Sequence, residues 1–325
     1  MPAQPATTEH TLHFESARHA QQLFHNDPRN LHALERQLGV HAVARDGWIR
    51  LEGPADGVAR AQRLFELLDT AARGGQAVRG RDFACALNMV QHEGPEALQR
   101  LVETRVTTSA RKAQVTPKTT GQRRYVEAIR DHDLTFGIGP AGTGKTYLAM
   151  AMAVAALREE KVSRIILTRP AVEAGEALGF LPGDLFEKLA PYLRPLHDAL
   201  HDMMPMEDLQ RAMERGVIEI APLAYMRGRT LNNAFIVLDE AQNTTAEQMF
   251  MFLTRLGFGS RAVVTGDPSQ VDLPRNKPSG LAEAIKALEG VEGVALVPFS
   301  PRDVVRHPLV QRIIQAYQRH RGEGA

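Results

Sequence analysis

The chain has 325 residues, 43% of them hydrophobic, and its 39 lysines and arginines against 38 acids leave a net charge of +1 and a pI of about 8.0. That composition can bury a substantial core, and the near balance of charge excludes a protein-wide positive field, so any nucleic-acid surface must be local. The lone cysteine, Cys85, excludes an internal disulfide and argues against structural zinc, and no apolar run reaches membrane-spanning length. The first residues carry neither the basic nor the apolar segment of a secretory signal, so a cytoplasmic protein with a short disordered stretch over 1–10 is expected.

Residues 11–80 read as a small α+β module. A strand over 12–15 precedes helical patterns at 18–25 and 31–38, and strands at 41–45 and 48–52 flank the turn signal Asp46-Gly47. Pro54 then opens an amphipathic helix whose apolar stripe includes Val58, Ala61, Leu64, Leu67 and Leu68. The resulting β-α-α-β-β-α order resembles a KH-type RNA-binding module, in which a Gly-x-x-Gly loop between the first two helices clamps a nucleic-acid backbone. Here that linker is Asn26-Asp27-Pro28-Arg29-Asn30. Without the two glycines, close backbone approach to phosphates loses its usual means, so the resemblance speaks for the fold more than for binding.

Residues 81–115 read as a helical, basic linker: a helical pattern over 83–106 breaks at Gly94-Pro95 and gives way to a polar stretch over 107–112, where the domain boundary is expected. Arg105, Arg111, Lys112, Lys118, Arg123, Arg124 and Arg130 face a single acid, Glu127. This run is either a solvated face or a nucleic-acid contact surface.

From residue 116 to 325, short apolar runs at 134–138, 164–168, 218–221, 235–239, 262–266 and 294–298 alternate with helical patterns. Such alternation predicts an α/β domain with a mostly parallel sheet and helices on both faces. The first of these strands runs into Gly139-Pro140-Ala141-Gly142-Thr143-Gly144-Lys145-Thr146 and then into a helix over 147–157, the context a phosphate-binding loop requires. Gly142 and Gly144 let backbone amides turn toward a β-phosphate, Lys145 can span β- and γ-oxygens, and Thr146 can hold Mg²⁺ through its hydroxyl. These features point to ATP with Mg²⁺.

The run over 235–238 ends in Asp239-Glu240, two carboxylates at the C-terminal end of a buried strand, a Walker B arrangement. Asp239 would orient the metal's water shell and Glu240 would polarise the attacking water, which separates a hydrolase from a passive nucleotide binder. Thr265-Gly266-Asp267-Pro268-Ser269-Gln270 follows the next strand, and Gln270 is placed to sense the γ-phosphate. Upstream, Gln122 carries an amide suited to an adenine edge.

With these elements together, residues 116–317 resemble the PhoH-like ATPases, whose core is similar to the first RecA-like domain of superfamily 1 helicases. The most family-specific stretch runs from Thr168 to Asp184. The resemblance implies that this stretch contacts a nucleic-acid strand, and Arg169 within it is a candidate phosphate or carboxylate partner. The tail from Phe299 to Pro308 matches as well, and Arg306, or else Arg302, is the candidate arginine finger. A finger drawn from that tail implies a homo-oligomer, with a hexameric ring as the expected form. The resemblance further implies RNA as a partner and an RNA-processing endoribonuclease as a second one.

Three features compete with this reading or stand outside it. His197 and His201 have zinc-like spacing but lack the protease glutamate, so they read as a surface pair. Met203, Met204 and Met206 read as core filling. A small-molecule kinase also uses a P-loop, but Glu240 beside Asp239, with Gln270, favours hydrolysis. The functions that remain are an ATP-driven RNA-remodelling enzyme and an ATP-state-dependent adaptor.

Overall fold

Local signals set the first unit. In a computed structural model, which describes residues 7–74, 80–109, 111–112, 114–170, 185–274, 277–305 and 308–321, its elements are β1 (Thr7–His13), α1 (Ala17–Leu23), α2 (Pro28–Leu38), β2 (His41–Arg45), β3 (Trp48–Pro54), α3 (Ala55–Arg73), α4 (Gly80–Glu93) and α5 (Pro95–Glu103). Ser16 caps α1 by accepting from the His19 amide, and Asp27 caps α2 by accepting from the Arg29 amide. Gly39, at φ 70°, ends α2 in the left-handed conformation that favours glycine. Asp46 and Gly47 both have positive φ, the condition for a two-residue hairpin turn of the kind that twists with its strands. β2 and β1 both pair antiparallel with β3, which is the middle strand.

Two expectations are corrected here. The stretch over 1–10 is not wholly disordered, because Thr7 to His10 lie in β1 and pair with Pro54 to Leu51; their polar, exposed side chains hid a strand held by backbone bonds. Nor is 81–115 a linker. Phe83, Leu87 and Val90 of α4, with Leu98, Leu101 and Val102 of α5, are buried in one cluster with Leu64, Phe65 and Leu68 of α3. The Phe65 and Phe83 rings lie 6.0 Å apart. Both helices are amphipathic, and burying their apolar faces outweighs the polar composition that suggested a connector.

The chain divides into one unit ending at Arg105 but also holding Thr116–Arg123, and another holding Val106–Val115 and everything from Arg124 on. The boundary expected at 116 therefore shifts. Lys118 pairs with Asp82 at 2.8 Å, and the Thr120 hydroxyl donates to Glu93 at 2.5 Å, which fastens this segment to the first unit. Val106 and Val115 instead exchange both backbone bonds at 2.9 Å and enter the second unit's core.

The second unit is built on a parallel six-stranded sheet. After α6 (Thr120–Asp131), which starts in the shared segment, come β4 (Leu134–Ile138), α7 (Lys145–Arg158), β5 (Arg164–Arg169), α8 (Leu185–Met203), α9 (Met206–Glu214), β6 (Ile218–Pro222), β7 (Ala234–Leu238), α10 (Ala246–Leu253), β8 (Arg261–Gly266), α11 (Gly280–Ala287), β9 (Val294–Pro298) and α12 (Pro308–Arg321). The strand order is β6-β5-β7-β8-β4-β9. Alternate strand residues enter different clusters: Ile165, Leu167, Phe235, Val237 and Val263 pack on one face, Ile166, Ile236, Leu238 and Val264 on the other. Both faces are therefore covered, as a parallel sheet requires. The fold is a RecA-like α/β domain in which β8 separates β4 from β7.

If α4 belongs to the first unit's core, Phe83→Ala should destabilise that unit by about 3–5 kcal/mol. Denaturant unfolding followed by a probe in the first unit would show this, whereas a connector helix would leave the midpoint unchanged.

Candidate nucleotide site

Three strand ends meet at the C-terminal edge of the sheet. From β4 the chain enters the glycine loop, where Gly139, Gly142 and Gly144 have φ of 145°, 85° and 78°, values that L side chains rarely adopt. At Gly139 a side chain is barred twice, since a Cβ there would lie 2.5 Å from the Phe299 carbonyl oxygen. The loop is tied down on several sides. The Gly139 amide donates to Gly266 O at 3.1 Å, Phe299 N to Ile138 O at 2.7 Å, and Val305 N to Gly142 O at 3.1 Å. Gly144 is the N-cap of α7, so the helix opens its N-terminus at the loop.

Lys145 is buried, and its ammonium donates to the carbonyls of Gly139 at 2.6 Å and Pro140 at 2.9 Å. Burial lowers its pKa, and Asp267, Glu240 and Asp239 partly offset that. An anionic phosphate would favour the charged form more strongly than neutral carbonyls do.

Asp239, at the end of β7, is buried. Its Oδ1 accepts from the Thr146 hydroxyl at 2.6 Å and the Thr265 hydroxyl at 2.7 Å. Thr146 and Asp239 thus offer two hard oxygen donors side by side, a fit for Mg²⁺, which binds through one or two protein oxygens and keeps most of its waters.

The next residue turns sharply. Glu240 has φ 53° and ψ 39°, a left-handed conformation uncommon outside glycine. Its Oε1 lies 2.9 Å from Arg169 Nη2, and its Oε2 accepts from Gln242 Nε2 at 2.5 Å. Arg169, expected to bind a phosphate or a carboxylate, meets a carboxylate. Gln242 also accepts from the Asp267 amide at 3.0 Å through Oε1.

Asp267 draws the third loop in. Its Oδ2 accepts from the Ala141 amide at 3.2 Å and from Gln270 Nε2 at 3.0 Å, while its Oδ1 accepts from Ser269 N and Oγ at 3.0 and 2.7 Å. Gln270 itself is exposed, and Asp267 holds it beside the glycine loop.

The structure therefore brings together Gly139 to Thr146, Asp239, Glu240, Arg169 and Gln270. Gln122 belongs to the first unit, where it is buried and its Oε1 accepts from the Lys118 amide at 2.6 Å. Arg306 lies outside the described residues, as does 171–184 of the family-specific stretch; Arg302 is exposed.

Sequence reasoning passed over Gln242 and Asp267. Their residue types carry no signal; only the structure shows that Gln242, Asn243 and Thr244 are consecutive buried polar residues, and such groups must find partners.

Other expectations shift. The basic run is not simply a free face, since Lys118 pairs with Asp82, Lys112 donates to the His201 carbonyl at 2.8 Å, and Arg105 donates to the Val102 carbonyl at 3.1 Å. His197 is partly buried, and its pKa is lowered by desolvation and then by His201. Met203 fills the core, but Met206 is 70% exposed and does not.

A glycine loop with its lysine, a hydroxyl facing a strand-end carboxylate, a second carboxylate beside it and a strand inserted between β4 and β7 define a nucleotide-hydrolysing P-loop protein. The chain belongs to the PhoH-like family, described as "PhoH-like protein", whose pattern matches residues 114–318. It is similar to a PhoH-like protein of Bacillus subtilis, 50% identical over 316 residues that cover 96% of this chain and 99% of that one. It is also similar to a PhoH-like protein of Mycobacterium tuberculosis strain H37Rv, 53% identical over 296 residues, 91% and 84% of the two chains. Among solved structures, "Sulfolobus solfataricus SWI2/SNF2 ATPase core in complex with dsDNA" overlaps 45% of this chain and 31% of that chain, at 17% identity and a TM-score of 0.32. Among the described residues, no helix is long and apolar enough to cross a membrane.

Because Asp267 satisfies a half-buried loop amide and holds the exposed Gln270, Asp267→Ala should lower stability by about 1 kcal/mol, the net worth of hydrogen bonds that water can partly replace. Chemical denaturation of the purified variant would measure the loss, and no loss would mean that water replaces the carboxylate.

Proposed function

We propose that the protein binds ATP with Mg²⁺, hydrolyses it, and couples turnover to binding or remodelling RNA. The observation that supports this most is the pair Asp239 and Glu240, the first hydrogen-bonded to Thr146 and the second fixed by Arg169 and Gln242. In this reading the loop amides from Gly139 to Gly144 and the α7 N-terminus bind phosphates. Lys145 leaves the loop carbonyls to neutralise β- and γ-oxygens. Mg²⁺, held by Thr146 and Asp239, supplies positive charge where negative charge builds up. Glu240 orients the attacking water and accepts its proton as the water oxygen bonds to the γ-phosphorus and the bond from that phosphorus to the bridging β-phosphate oxygen breaks, ADP leaving; Gln270 reports the γ-phosphate, and Arg306 of a neighbouring copy in a homo-oligomeric ring completes the site.

Family membership and the βααββα order of the first unit support RNA as the partner. The turn before α2 adds to this: His25 and Asn26 adopt φ of 59° and 51°, so non-glycine residues take up left-handed conformations there. A second reading is an ATP-state-dependent adaptor for an RNA-processing endoribonuclease in the cytoplasm. The Arg169–Glu240 ion pair favours it, because a carboxylate neutralised by a guanidinium polarises water weakly and turnover would be slow.

ATPase rates with and without single-stranded RNA, for wild type and Glu240→Gln, test both. Coupled turnover predicts RNA stimulation, and the substitution should lower kcat by about 10²- to 10⁴-fold, the worth of a positioned general base. Slow turnover indifferent to RNA, with an endoribonuclease captured only in the ATP state, would replace the first reading by the second.

A further inference from the structure

We infer that Gln242 is a positioning residue, which fixes the Glu240 carboxylate and locks it to the loop that carries Asp267 and Gln270. The inference rests on the hydrolytic role proposed for Glu240.

Gln242 is 1% exposed, so its bonds meet little competition from water. Its amide orientation follows from its neighbours. The Asp267 N–H can only donate, so the atom 3.0 Å from it must be Oε1, and the atom 2.5 Å from Glu240 Oε2 must then be the NH₂ donor. The backbone on either side is set as well. The Gln242 carbonyl accepts from Ser279 Oγ at 2.7 Å. Space for the amide depends on Gly266, where a Cβ would stand 3.0 Å from Gln242 Oε1 and 2.5 Å from Leu281 Cδ2.

These bonds make one chain of contacts. Arg169 holds one oxygen of Glu240 and Gln242 the other; Gln242 holds the Asp267 amide; and Asp267 holds Gln270 and the Ala141 amide of the glycine loop. A movement of Gln270 or of the loop is therefore transmitted to Glu240 through a rigid amide that donates at one end and accepts at the other. Glutamate at 242 could serve only the Asp267 end, and methionine neither.

Gln242→Glu and Gln242→Met, each alone and combined with Glu240→Gln, test this in the full chain. Both single variants should lose about ten-fold or more in kcat, while KM for ATP and the affinity for a non-hydrolysable ATP analogue stay within about three-fold. Adding either to Glu240→Gln should cause no further loss, because Gln242 acts through Glu240. Wild-type kcat in Gln242→Glu, losses that multiply in the double variants, or loss of analogue binding in both single variants would overturn the role. A wild-type rate in Glu240→Gln alone would remove the hydrolytic reading itself. An inactive Glu240→Gln beside fully active Gln242 variants would remove only the positioning role.

Discussion

The Asp239 carboxylate, buried between the hydroxyls of Thr146 and Thr265, is the interaction on which the rest of the site depends. A carboxylate out of water is costly unless hydrogen bonds or charges meet it, so the chain must deliver both hydroxyls to the same point. The sheet register does this. Leu238 pairs with Val264, so Asp239 and Thr265 come next on neighbouring strands, and Ile138 pairs with Gly266, so the glycine loop leaves β4 at the same edge. A one-residue slip would turn the side chains of a strand to the other face and separate the three. The strand between β4 and β7 thus supplies a hydroxyl as well as a spacing.

Beneath the loop, packing limits what the sequence can hold. The Tyr125 ring lies so close to β4 that a Cβ at Gly137 would sit 2.8 Å from its Cε2, Cζ and hydroxyl, and the ring meets Phe299 edge-on at 5.2 Å. Its hydroxyl is buried and finds no hydrogen-bond partner among the described residues, and desolvation, with the Asp239 charge second, holds its pKa well above the usual phenol range. An unmet hydroxyl costs about 1–3 kcal/mol. A buried aromatic body of this size offsets that, and it supports both the loop and the Phe299 segment that crosses it. A neutral phenol here also adds no charge to a site already crowded with carboxylates.

Much of this was legible in the sequence wherever the signal was local. β4 and β9 fall where their apolar runs predict, the turn at Asp46-Gly47 is where the dipeptide puts it, and the glycine loop, Asp239 and Glu240 come to one sheet edge because each follows a strand. What escaped depends on partners distant in the chain. Gln242 and Asp267 are 25 residues apart, and nothing in either residue type announces that they meet. α4 and α5 looked like a connector because only the fold provides the surface of α3 that buries Phe83 and Leu98. Thr7 to His10 carry no alternating pattern, since backbone pairing with β3 holds them.

Two neighbouring carboxylates in an extended strand would point to opposite faces, and one of them would leave the site. The left-handed turn at Glu240 resolves this at a cost of about 1–3 kcal/mol of backbone strain. Asp239 stays with the threonine hydroxyls, and Glu240 swings toward Arg169 and Gln242 while remaining at the same sheet edge. Such strain persists only where the surroundings over-determine it, and here they do: one guanidinium, one amide and the helical turn over Ala241–Asn243 all fix the same residue. Because Arg169 ends β5 and Gln242 is bonded to the Asp267 loop, the conformation of Glu240 responds to both. Whatever moves Arg169 or the Asp267 loop also moves this carboxylate.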